Sequence, residues 1–169
     1  TLRISGSGAT FGDIDLTSAA KLKWQTNCAE EIIDLYFTIN VAITKFEAFG
    51  LRDAGGVIDR IAAPDSAMQG ADIYIFTEGD GDSWSFIDAA ADGSNAPSSK
   101  SSSQTTLVSM TTEGNRLSVH LRRPWANDYV ILAPDHFVWV LTASSRDPVY
   151  DLSIIYSKTK VVPHPVSFF

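Results

Sequence analysis

Short segments of five to ten residues that mix apolar and polar side chains, each bracketed by glycine, proline, asparagine or aspartate, recur along all 169 residues of this chain. No run of ten or more residues carries a helical period. That pairing of features leaves the extended strand as the regular structure the chain can form. The segments are 21–25, 32–41, 47–51, 72–76, 84–88, 105–110, 116–122, 137–142, 150–156 and 161–169, with a further short one at 2–4. Most are rich in β-branched and aromatic residues, which fit a pleated, half-buried surface. The reading is an all-β fold: an antiparallel two-sheet β-sandwich of nine to eleven strands, immunoglobulin-like in general plan. Residues 1–20 carry Gly6, Gly8 and Gly12 among small side chains and read as a loosely ordered lead-in.

At this length one domain spanning 1–169 suffices to bury a core without staples. Hydrophobic residues make up 44% and charged ones 20%, which excludes a disordered or fibrous chain. No apolar run approaches the length of a membrane-spanning helix. A formal net charge of −7 leaves no basic stripe for phosphates, so nucleic acid is not an expected partner. Cys28 stands alone, which rules out an internal disulfide, a cysteine metal cluster and covalent haem attachment through a Cys-x-x-Cys-His motif. The start at Thr1 reads as a processed or excised fragment whose signal peptide, if any, is gone.

Several local patterns carry less than they first suggest. The glycines at 6–10 lack the Lys-Ser/Thr ending of a phosphate loop. The acidic turn 78–82 lacks a calcium loop's closing glutamate, because Ala89 stands where that residue belongs. Neither Gly-x-Ser-x-Gly nor His-Glu-x-x-His occurs, so hydrolase chemistry has no motif to rest on. The serine-rich stretch 92–104 is a surface connection, not a domain boundary.

The most informative stretch is 64–76. A turn at 64–66 leads to Met68, then Gly70, then the β-rich strand 72–76. This puts Met68 at the mouth of a strand. A methionine there either fills an irregular gap or serves as a soft axial ligand to haem iron.

Three stretches taken together resemble the DOMON domain, a secreted β-sandwich family with haem-binding cytochrome modules and haem-free adhesion or sugar-binding modules. They are residues 22–24 with 49–51, residues 68–76, and residues 117–128 with 138–143. The resemblance covers about residues 20–160. It implies an extracellular or cell-surface location and, in the cytochrome members, a non-covalent b-type haem (haem b) with Met68 as one axial ligand. The second ligand implied is a histidine before the final strand. His164, between Pro163 and Pro165, stands immediately before residues 166–169. Lys158 or Lys160 is an alternative, and Ser157 falls where one alignment would set the ligand. Alternation of strand ends places the loop after 138–142 beside Met68 and His136 at the opposite end, while His120 should point to the face that Val119 and Leu121 avoid.

Two functions follow. One is an electron-transfer module, not an enzyme by itself, serving a redox partner protein or other domains of a parent chain. Phe49, Trp84 and Trp139 would then line the cofactor pocket. The other is a haem-free module for carbohydrate, adhesion or structure, with Trp84 or Trp125 offering a flat apolar face to a sugar ring.

Overall fold

The alternation is sharpest in residues 32–40, where Ile33, Leu35, Phe37 and Ile39 are buried and Asp34, Tyr36 and Thr38 are not. A period of two with one apolar face specifies a strand laid on a core, and it fixes register, since a slip of one residue would turn that row to solvent. The computed structural model of the chain describes residues 3–4, 9–53, 71–90, 98–100, 104–133, 138–147 and 162–169.

Twelve strands appear among these residues: β1 (Arg3–Ile4), β2 (Ala9–Asp15), β3 (Ala20–Asn27), β4 (Ile32–Asn40), β5 (Phe46–Asp53), β6 (Asp72–Glu78), β7 (Trp84–Ala90), β8 (Ser98–Ser99), β9 (Thr106–Glu113), β10 (Arg116–Pro124), β11 (Val138–Ser145) and β12 (Val162–Val166). One sheet has the order β1-β2-β3-β4-β10-β9 and the other β12-β11-β5-β6-β7-β8. Every pairing is antiparallel. The β-sandwich expected from the sequence is therefore what the chain forms, with ten strands of five residues or longer and two of two residues. The expected strand at 150–156 lies outside the described residues.

Between the sheets sits one core, with Phe37 stacked on Phe49 at 4.2 Å and Phe76 stacked on Phe86 at 5.4 Å. The second sheet also buries its outer face. Phe46, Ala48, Ile73, Ile75, Ala89, Leu141 and Ala143 form a separate apolar cluster there.

Over residues 9–20 the expected loose lead-in does not hold. β2 is a seven-residue strand, and Gly12 in it is a packing glycine, not a turn marker. A Cβ at position 12 would stand 2.0 Å from Cζ2 of Trp24, so the indole occupies the space a side chain would need.

Candidate functional site

His164 lies on β12 opposite Val140, which pairs in turn with Leu51, and Leu51 with Asp72. Residues facing one another across antiparallel strands share a face, so this row belongs to the interior side that holds Val140 and Leu51. Pro163 and Pro165 fix φ on both sides of the histidine and take the opposite face. The imidazole is partly buried, and its Nε2 is buried without a hydrogen-bond partner. Desolvation lowers the pKa of His164, against which a hydrogen bond to the backbone of Leu16 acts. The result is a neutral ring with one nitrogen engaged by the chain and the other holding an unused lone pair or proton.

The register also settles which strand ends lie together. Val138 pairs with Asp53, and Leu51 pairs with Asp72, so the segment 54–70 departs from the end at which β11 begins. The chain after β11 therefore leaves at the end of the sheet opposite Asp53 and Asp72. Met68, Lys158, Lys160, His136 and Ser157 lie outside the described residues.

The three aromatic residues expected to line one pocket are dispersed. Phe49 is fully buried in the central core, between Phe37 and Phe76. Trp84 pairs with Glu78, at the opposite end of the sheet from Asp72. Trp139, opposite Arg52 and Pro165, packs on the outer cluster. Spacing along the chain identifies none of these differences, because it does not say which face or end of a strand meets a ligand. The tryptophans nominated for sugar stacking are likewise packed: Trp84 rests on the core, and Trp125 meets Phe169 edge-on at 4.7 Å. His120 points outward as expected, stacking on Tyr36 at 4.3 Å and meeting Asp34 through Nε2 at 2.6 Å.

Two features escaped the sequence reading. The first is a buried ionic cluster at the strand end where segment 54–70 begins and ends. Asp72 accepts hydrogen bonds from Arg123 Nη1 at 3.2 Å, Asn127 Nδ2 at 2.7 Å and the Tyr74 hydroxyl at 3.2 Å, and it also pairs with Lys100. Lys100 reaches Asp88 at 2.5 Å and lies over the Tyr129 ring at 4.7 Å. Arg123 comes from the opposing sheet, and its Nη2 donates to the Val130 carbonyl at 3.0 Å. Its signal was an aspartate heading an apolar strand and a second arginine in a strand alternating inward. The second feature is Glu47, fully buried on the inner face of β5 with neither carboxylate oxygen partnered. Desolvation raises its pKa well above the ordinary carboxyl value.

Among the described residues no three histidine, cysteine or acidic side chains gather as a metal site. The donor chemistry that fits a haem iron is the free, buried Nε2 of His164. Ala48, Ala71, Ala89 and Ala143 lie in the separate outer cluster of the second sheet and are fully buried, on the opposite face from His164.

No protein-family model matches the chain, and no curated protein matches it. Among solved structures it is similar to the cytochrome domain of Myriococcum thermophilum cellobiose dehydrogenase, over 100% of this chain and 88% of that one, with a TM-score of 0.58 and 11% sequence identity. At that identity the likeness is one of fold: this chain is a two-sheet β-sandwich of the kind found in that cytochrome domain.

Proposed function

We propose that the chain is a DOMON-type cytochrome module that holds a b-type haem without covalent bonds and passes electrons to a partner protein or domain. His164 and Met68 would be the residues that hold the iron. The observation carrying this reading is the buried, unpartnered Nε2 of His164 in a fold shared with a cytochrome domain. Leaving a buried polar nitrogen without a partner costs about 1–3 kcal/mol, and a structure keeps such a group most readily where something else will engage it.

The haem, when bound, would supply a one-electron iron couple. The chain's own residues then have defined tasks. The Leu16 backbone holds one ring nitrogen, fixing ring orientation in the manner of an outer-shell partner. Burial keeps the imidazole neutral, as a ligand must be. Pro163 and Pro165 stiffen the backbone that carries it. The net charge of −7 favours a basic redox partner and an extracellular setting is the one the family resemblance implies.

The test is a titration of folded protein with haem, followed by absorption in the oxidised and reduced states. Uptake with a Soret band that shifts on reduction is expected, and His164→Ala or Met68→Ala should each change that spectrum and weaken haem binding by about 10–100-fold. Far-UV circular dichroism of each variant checks that the sandwich is intact. Wild-type protein that is folded but takes up no haem would overturn the reading, and unchanged spectra in the His164 variant would remove that residue from the site.

A further inference from the structure

Three of the four sheet edges formed by described strands are blunted by devices that keep a sheet from pairing further. β1 and β8 are only two residues long. β12 carries Pro163 and Pro165, each without a backbone N–H. β9 differs. It is eight residues long, has β10 on one side and no described strand on the other, and seven of its side chains are exposed. From Gln104 to Thr112 it has neither a charge nor a proline nor a glycine. Leu107 and Val108 are 39% and 47% exposed. A bulge lies opposite His120 and Leu121, so the first part of the edge is bent while residues 109–113 stay in regular register with β10.

The geometry points to β9 as a self-association edge, taken by β9 of a second copy of this chain in antiparallel pairing across a twofold axis at Thr111. A twofold contact requires one surface to complement itself, and an uncharged strand does so without bringing like charges together. With Thr111 opposite its symmetry mate, Met110 faces Thr112 and Ser109 faces Glu113, so the only acidic side chain of the strand meets a hydroxyl. Threonine and aliphatic cross-strand pairs favour such a ladder. The two six-stranded sheets would continue as one. Each copy carries a net charge of −7, so general repulsion opposes the contact and salt should strengthen it. This inference is independent of haem binding.

Sedimentation equilibrium of the full chain, at up to about 0.1 mM, tests it. The expected result is a monomer–dimer equilibrium that tightens with added salt. Thr111→Lys, an exposed change on one face of the edge, should weaken association by roughly tenfold or more through like charges placed face to face. In a Cys28→Ser background, Thr111→Cys should be linked to dimer by a short bis-maleimide, while Lys23→Cys on the far side of that sheet should not. A wild-type chain that stays monomeric in low and high salt overturns the proposal and would leave the edge to an extended segment of another protein. Association unaffected by Thr111→Lys, or a dimer that Thr111→Cys fails to link, overturns it as well.

Discussion

At the residue scale Glu47 is the side chain most at odds with its surroundings. It faces the interior between Phe76 and Ser144, and with no partner it is held as the neutral acid. Its pKa in the folded chain is raised well above 4.5, whereas in the unfolded chain it returns to the ordinary range. The folded state therefore binds this proton more tightly. Its stabilising effect is complete below the unfolded pKa and is lost as pH rises through the folded one. Urea unfolding at stepped pH should show stability falling over that interval, and Glu47→Gln should flatten the fall. Glu47→Leu should raise stability at neutral pH by about 1–3 kcal/mol, since an apolar side chain leaves nothing buried and unpaired. The sequence placed Glu47 in a strand, between Phe46 and Ala48. It did not show that the residue faces inward, because both of its neighbours are buried as well, on the outer face.

At the scale of elements, legibility followed burial. β4 announces itself, since one face is core and the other is water. β5 and β6 are buried on both faces and read as apolar runs, whose two faces the sequence does not separate. β2 was missed because Gly12 looks like a turn signal until Trp24 is seen filling its place. Of the candidate site, His164 was expected just before the last strand but lies within it, on β12, and its orphaned nitrogen emerges only with the packing around it. The aromatic residues expected to line one pocket are spread apart for a related reason: Phe49, Trp84 and Trp139 fall on different faces and ends. The contrast between a central and an edge strand gives a direct check by denaturant unfolding. Leu35→Ala on β4 should cost about 2–5 kcal/mol, because it empties a fully buried site. Val108→Ala on the edge strand should change stability by less than about 0.5 kcal/mol, with little packing to lose.

At the scale of the whole molecule, two sheets from interleaved parts of the chain must find one another. Asn40 pairs with Arg116, and Phe46 with Ser145, so neither sheet is complete until distant segments have met. The cluster around Asp72 ties them at one end, with Arg123 from one sheet and Asp72, Tyr74 and Asp88 from the other. Asp72→Ala would leave Arg123 and Lys100 buried without their main counter-charge. A loss of about 3–5 kcal/mol is expected by equilibrium unfolding, several times that of an exposed ion pair such as Lys21–Asp15. The consequence reaches beyond stability. A carboxylate on which both sheets converge cannot be released from one sheet alone, so the strand ends flanking segment 54–70 do not fray as separate pieces. Hydrogen exchange at the described strand end around Asp72 is expected to require opening of the sandwich as a whole.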